Sequence, residues 1–314
     1  MGATAESENG DPDTTQRCGY VALIGRPNVG KSTLMNRILG QKLSIVTAKP
    51  QTTRQRICGI KSQDGGQVVY VDTPGLHQAG KSALNRYMNR IARASLLDVD
   101  LVLLLVEADH WSRQDEAVAQ LVQEVDIPVF LVVNKIDQVA DKARLLAFIK
   151  AHAEGGRFDR VLLVSALKGD GVEDLEKAVS EALPISRPFF DQDQLTDRSE
   201  RFLAAEIIRE ALMQRLHKEL PYALTVEIES FKRDKGMLRI SAIIWVERES
   251  QKRIVIGKGG EALKQAGSRA RVALESFFEE KIFLQTWVRV SRNWSNDDRL
   301  LKKLGFDELN HSGR

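Results

Sequence analysis

Between Tyr20 and Leu183 the sequence alternates two patterns that one kind of element cannot satisfy. Five short runs, Tyr20–Ile24, Val68–Val71, Leu101–Val106, Val129–Val133 and Val161–Val164, are apolar at every position. Between them lie stretches with helical spacing at Ser32–Leu39, Ser82–Leu97, Arg113–Glu124, Asp141–His152 and Val172–Leu183. A strand that is apolar on both faces must be covered on both faces. The alternation therefore predicts an α/β domain with a mostly parallel sheet and helices on each side. Ligands on such sheets bind beyond the C-terminal ends of the strands, so the loops after these five runs are where chemistry is expected.

The first of those loops is Gly25-Arg26-Pro27-Asn28-Val29-Gly30-Lys31-Ser32, followed by Thr33. It has the P-loop pattern in its required strand–loop–helix setting. Its glycines let backbone amides turn inward around phosphate oxygens, and the helix N-terminus adds its positive end. Lys31 can reach the outer phosphates and Ser32 can ligate Mg²⁺. Asp72-Thr73-Pro74-Gly75 follows the second run. There Asp72 can reach Mg²⁺ through water and the Gly75 amide can meet a γ-phosphate. Asn134-Lys135-Ile136-Asp137 follows the fourth run, and Ser165-Ala166-Leu167 the fifth. A carboxylate at Asp137 accepts from N1–H and the 2-amino group of guanine. Adenine offers neither donor and would leave a buried carboxylate unpaired. The Ser165–Leu167 loop suits a backbone contact to the 6-oxo group. Four stations in order, each at the end of an apolar strand, predict a guanine nucleotide site.

Ala48-Lys49-Pro50-Gln51-Thr52-Thr53-Arg54-Gln55-Arg56 lies between the first two stations. It reads as a first switch, with a threonine touching Mg²⁺ and the γ-phosphate when GTP is bound. Thr52 and Thr53 are equivalent in this respect. Where many GTPases place a water-orienting glutamine after D-x-x-G, this chain has Leu76, which has no hydrogen-bonding group. Catalysis is thus expected to rest on Lys31, Asn28, Thr52 or Thr53, Asp72 and Gly75.

The rhythm changes after Pro184. Residues 185–199 read as a linker, and residues 200–293 as an α+β module. Its elements are a long helix from Arg198 to about Lys218, strands Ala223–Phe231 and Met237–Val246 joined by the turn Lys232–Gly236, a short element ending at Ile256, a helix from about Glu261 to Glu280, and a strand Phe283–Val290. Gly257-Lys258-Gly259-Gly260 is a G-x-x-G turn between the two helical elements, where small residues admit an RNA backbone. Lys252, Arg253, Lys258 and Lys264 supply charge around it. Ile254, Val255 and Ile256 suit either the apolar side of a base groove or the core. Trp294–Phe306, in the C-terminal tail 294–314, suits either RNA contact or docking on the domain.

Charge supports a polyanionic partner for this half. Residues 201–314 hold 22 Lys/Arg against 16 Asp/Glu, and within 232–271 the count is 11 against 4. Two cysteines, Cys18 and Cys58, are too few for a disulfide framework, and five scattered histidines show no metal spacing. The polar, acidic residues 1–17 are expected to form a disordered tail. No apolar run approaches the ~20 residues that span a bilayer. With no export signal, both cysteines are expected to be reduced thiols in the cytoplasm, and a monomer is expected.

The chain resembles the Era family of bacterial GTPases. The resemblance is carried by Gly25–Leu34, Gln51-Thr52-Thr53-Arg54, Asp72-Thr73-Pro74-Gly75-Leu76-His77 and Asn134–Asp137, and in the second half by Thr196-Asp197-Arg198-Ser199, Leu220-Pro221-Tyr222, Val246-Glu247-Arg248-Glu249 and Val255-Ile256-Gly257. It implies a P-loop GTPase domain at 18–184 followed by a type II KH domain that binds the 3′ end of small-subunit ribosomal RNA. It further implies a part in maturation of the small ribosomal subunit, and a peripheral pool on the inner face of the cell membrane. Asn28 occupies the place where relatives bind K⁺ to neutralise transition-state charge; bracing of the loop is the other role open to it. A GTPase acting through a protein or membrane partner, with the second domain as docking surface, is the alternative function.

Overall fold

The computed structural model describes residues 16–47, 49, 51–63, 65–75, 82–154, 156–216 and 223–306. The first domain is built from β1 (Arg17–Ile24), α1 (Lys31–Leu39), β2 (Ile57–Gln63), β3 (Gly66–Asp72), α2 (Ala83–Ala94), β4 (Leu101–Glu107), α3 (Arg113–Val122), β5 (Val129–Asn134), α4 (Lys142–Ala153), β6 (Arg160–Val164) and α5 (Val172–Ala182). The strand order is β2-β3-β1-β4-β5-β6, with β2 antiparallel to β3 and the other pairs parallel. Alternate residues of each central strand feed opposite cores. Ala22, Leu104 and Val133 face one side, and Leu23, Leu103 and Val132 the other. This is why the runs are apolar throughout. The chain leaves β1 for β3 on one side and later for β4 on the other. The P-loop at the end of β1 therefore opens onto the crevice where the winding reverses.

Strand β2 is absent from the five expected runs. Its sequence is apolar only at its start and ends Lys61-Ser62-Gln63, as suits an edge strand partly exposed to solvent. That edge is covered by the segment expected as a linker. Ile60 N–H donates to Leu195 O at 2.9 Å, and Gly59 bridges to Thr196. Cys58 N–H donates to Asp197 Oδ1 at 3.1 Å, and Arg198 Nε to Arg56 O at 2.9 Å. Gln67 Oε1 accepts from Phe189 and Phe190 N–H at 2.8 and 3.0 Å. Residues 185–199 thus form a strap hydrogen-bonded along the sheet edge. Arg17, expected in the disordered tail, is the first residue of β1; residues 1–15 lie outside the described set.

The second domain comprises α6 (Glu200–Arg215), β7 (Leu224–Asp234), β8 (Met237–Val246), α7 (Glu249–Ile256), α8 (Glu261–Phe278), β9 (Ile282–Val290) and α9 (Asp298–Lys303). Its sheet runs β7-β8-β9, antiparallel then parallel, with α6 and α8 packed on one face. The β7–β8 turn is tighter than expected. Lys235 and Gly236 both have positive φ, 50° and 72°, the signature of a two-residue hairpin loop. Ser199 caps α6 by accepting from Phe202 N–H. The helix is buried continuously from Ile207 to Met213, including Arg209 and Glu210. A helix buried on every side must be sandwiched, and α6 lies between its own sheet and the first domain.

Trp294 and the residues after it dock on the first domain. The Trp294 side chain is fully buried, with Nε1 donating to Ala223 O at 3.1 Å. With Leu301 and Phe306 it packs on Leu84, Tyr87, Met88 and Ile91 of α2. Ala83 N–H, at the start of α2, donates to Asn296 Oδ1 at 3.0 Å. The tail thus docks on both domains.

Candidate nucleotide and RNA sites

Backbone conformation makes the P-loop. Gly25, Asn28 and Gly30 have φ of 153°, 66° and 105°, turning the chain sharply before α1. Asparagine is one of the few side chains that tolerate this left-handed region. A side chain at Gly30 would strike the Asn134 amide, so that position must stay bare. Arg26 ties the loop to the rest of the domain. Its Nε donates to both Asp115 oxygens, at 3.1 and 3.0 Å, and its guanidinium reaches Glu107 at 2.8 Å. Lys135 Nζ lies 3.2 Å from the same Glu107 oxygen.

Lys31 is buried, with Nζ donating to the carbonyls of Gly25 and Arg26 at 3.0 Å each. Burial holds its pKa down to about 8; Asp72 pulls upward and Arg26 adds to the depression. Ser32 Oγ donates to Asp72 Oδ2 at 2.7 Å and lies 3.0 Å from Thr53 Oγ1, which reaches the same carboxylate oxygen at 3.2 Å. Asp72 Oδ1 is buried without a hydrogen-bond partner. Burial pushes the Asp72 carboxyl up, opposed by these bonds and by Lys31. Three hard oxygens, Ser32 Oγ, Thr53 Oγ1 and Asp72 Oδ2, converge within hydrogen-bond distance of one another, the chemistry that suits Mg²⁺. Gly75 approaches so closely that a Cβ there would lie 2.9 Å from Pro27.

This convergence separates two residues that are equivalent in sequence. Thr53 joins Ser32 and Asp72. The Thr52 hydroxyl instead turns into its own loop, 2.7 Å from Thr47 Oγ1 and donating to Lys49 O at 2.6 Å. Leu76 lies outside the described residues, as do Ala48 and Pro50.

A cavity of about 440 Å³ is lined by Asn28, Gly30–Thr33, Thr47, Gln51–Thr53, Gly75 and Lys135, among others. A second, of about 410 Å³, shares Thr33 and Val46 with it and runs on to Ala166 and Leu167. Together they make a groove from the P-loop to the loop after β6. Asn134 braces both ends: Nδ2 donates to Val29 O at 2.7 Å and Oδ1 accepts from Ala166 N–H at 2.9 Å. The Ala166 amide is therefore engaged by Asn134. Ser165 Oγ donates to Asp137 Oδ1 at 2.6 Å, which orients that carboxylate.

In the second domain α7 ends at Ile256, with Gly257 as its C-cap, and α8 begins at Glu261. Gly257, Gly259 and Gly260 all have positive φ. Lys258, Gly259, Arg253 and Lys264 are exposed and Lys252 is half-buried. Of the three apolar candidates, Val255 is in the core, Ile256 packs against it, and Ile254 is 57% exposed beside the turn.

A family model described as a 50S ribosome-binding GTPase matches residues 20–135, and one described as a KH domain matches residues 219–295. GTPase Era of Coxiella burnetii (strain Dugway 5J108-111) is 50% identical over 291 residues, 93% of this chain and 98% of that protein. The chain belongs to the GTPase Era family. Two crystal structures of Era proteins have the same fold over both domains, each with a TM-score of 0.90, 37% identity, and coverage of 93% of this chain and 99% of theirs. One is a variant of Aquifex aeolicus Era bound to GDP and AlF₄⁻. The other is Era in complex with MgGDPNP and nucleotides 1506–1542 of 16S ribosomal RNA.

Membership makes this chain a GTPase with a KH domain. The Era family pattern also explains why the four nucleotide stations were legible, since each is a contiguous motif. What sequence reasoning missed lies on α6. Arg209 and Glu210 sit in a helix whose pattern reads as ordinary, yet both contact residues 42–52 of the GTPase domain. Glu210 accepts from Val46 N–H at 3.0 Å and pairs with Lys42 at 2.5 Å. Adjacent charges in a continuously buried helix were the available signal.

Proposed function

We propose that this chain couples GTP binding and hydrolysis to binding of small-subunit ribosomal RNA near its 3′ end, and so assists assembly of the small ribosomal subunit. One observation carries this reading. A single chain holds a P-loop groove and an exposed G-x-x-G turn, with a helix of the second domain packed against the loop that borders the first. The broad GTPase model speaks of the 50S subunit, so the first domain alone does not choose a subunit. The 16S RNA bound by the neighbouring Era structure favours the small one.

In this reading the amides of Gly25–Ser32 and the start of α1 cradle the phosphates, and Lys31 reaches the outer ones. Ser32, Thr53 and Asp72 hold Mg²⁺, which supplies charge neutralisation at the phosphate oxygens. Asp137 reads guanine, with Asn134 and Ser165 fixing the walls of its pocket. Gly257–Gly260 takes the RNA backbone, and Lys252, Arg253, Lys258 and Lys264 offset its charge. Crosslinking the chain to RNA in cells and sequencing what is bound tests the proposal. Enrichment of the small-subunit 3′ end is expected; enrichment of any other RNA, or of none, overturns it. The same cells, fractionated, test a monomer that is cytoplasmic with a peripheral membrane pool. Among the described residues no helix is long and apolar enough to cross a membrane.

Asn28 lines the phosphate end of the groove with its backbone in the left-handed region. With Leu76 unable to orient water, we assign Asn28 to a K⁺ that adds positive charge beside the transferring phosphoryl. Hydrolysis is expected to run several-fold faster in K⁺ than in Na⁺, in line with the strong dependence of phosphoryl transfer on added positive charge. Equal rates at matched ionic strength return Asn28 to a bracing role.

A further inference from the structure

Switch and RNA-binding domain exchange arginines. Arg209, on α6 of the second domain, has a side chain only 1% exposed, and its guanidinium donates to the carbonyl of Thr52 in the first switch. Glu206 fixes that guanidinium from one turn away, accepting from Nε at 2.7 Å and from the terminal nitrogen at 2.5 Å. A third donor points at Met213 Sδ, 3.1 Å away. In the opposite direction Arg54 of the switch donates to Leu224 O at 2.6 Å and lies over the Trp294 ring at 6.0 Å. Burial and the neighbouring Arg209 hold Arg54 down to about 9, with Glu206 opposing. Lys49 donates to the carbonyls of Met213 and Leu216 at the end of α6.

These bonds grip the backbone one residue before Thr53, whose hydroxyl meets Ser32 and Asp72. A peptide held at Thr52 O leaves Thr53 little freedom, because that carbonyl and the Thr53 Cα share one rigid peptide plane and only the Thr53 φ and χ1 rotations separate the plane from the hydroxyl. A guanidinium held by a bidentate carboxylate is a rigid fork, so it transmits position as well as charge.

We propose that Arg209 is a positioning residue for GTP hydrolysis: from the RNA-binding domain it holds the Thr52 carbonyl, and through it sets Thr53 against Ser32 and Asp72. The inference rests on residues 48–56 being the first switch. It makes the second domain a contributor to the GTPase site as well as a reader of RNA.

The test uses the full chain as wild type, Arg209→Gln, Arg209→Lys and Glu206→Gln, with Thr53→Ala as reference. Single-turnover hydrolysis at saturating GTP is followed as Mg²⁺ is titrated, with GDP affinity and the melting temperature measured alongside. Arg209→Gln is expected to slow hydrolysis about tenfold or more, equivalent to about 1.4 kcal/mol. The Mg²⁺ needed for half-maximal rate should rise in the same direction as in Thr53→Ala. GDP affinity should stay within about threefold, because the switch closes on the γ-phosphate and its metal. Arg209→Lys should be intermediate, since an ammonium can reach the carbonyl but cannot take the bidentate grip of Glu206. If Arg209→Gln melts below the assay temperature, Arg209→Lys and Glu206→Gln are read in its place, with a smaller slowing and a rise in the Mg²⁺ requirement in the same direction. Wild-type rate and Mg²⁺ dependence in folded variants would overturn the proposal. So would faster hydrolysis, which would make the contact a restraint, and so would a parallel fall of rate, GDP affinity and melting temperature. A wild-type chain without Mg²⁺-dependent hydrolysis would overturn the switch reading and the inference with it.

Discussion

Replacing Asp137 with asparagine is expected to lower GTP affinity by roughly two to four orders of magnitude and to shift preference to xanthosine triphosphate. The estimate follows from losing two charge-assisted hydrogen bonds, about 1.5–3 kcal/mol each. The new amide presents a donor where guanine also presents one, whereas xanthine has an acceptor at that position. The substitution is well placed to isolate this effect. Ser165 Oγ donates to Asp137 Oδ1, and the carbonyl oxygen of an asparagine can accept the same bond. Asn134, which ties the P-loop to the Ala166 amide, is untouched. Affinities for GTP and XTP in wild type and Asp137→Asn decide the matter. An unchanged preference removes Asp137 from the base pocket.

Asp137 tests the nucleotide end of the chain; Gly259→Asp tests the other. RNA affinity at fixed salt is expected to fall by about tenfold or more, since a carboxylate beside Lys258 would repel a phosphate of the backbone proposed to pass this turn. GTP affinity and the RNA-free hydrolysis rate should stay near wild type. The choice of glycine matters. A Cβ at Gly257 would lie 2.5 Å from the Ala262 Cβ, so substitution there tests folding rather than binding. Gly259 has φ of 61° and nothing within 4 Å of a built Cβ. Aspartate tolerates that backbone region better than most residues. The contacts joining the domains run through α6, the Leu224 backbone, Trp294 and Phe277, the last near the far end of α8 from the turn. Nucleotide affinity, RNA affinity and hydrolysis with and without RNA, measured on one preparation, form the readout. Full RNA affinity in the folded variant would place the RNA site elsewhere on the basic surface.

The sequence by itself determined the α/β domain, because strands buried on both faces must be apolar at every position. It determined the nucleotide stations, because each is a contiguous loop at the end of such a strand. It also determined the order of the KH elements, through the change of period after Pro184. Strand β2 escaped it, since an edge strand with one half in solvent carries no continuous apolar run. That the Thr53 hydroxyl meets Ser32 and Asp72 while the Thr52 hydroxyl turns into its own loop is visible only in the folded chain. Both are threonines of one loop, and only the arrival of Ser32 and Asp72 from distant elements tells them apart. The tertiary structure decided that the 185–199 segment straps a sheet edge and that Trp294 docks on α2, because both depend on surfaces supplied by the other end of the chain. It also decided the environment of Arg209. A buried guanidinium is tolerated there because a carboxylate one turn away and a carbonyl from another domain satisfy it. Local sequence carries local pattern; partners far apart along the chain are specified only when the chain closes on itself.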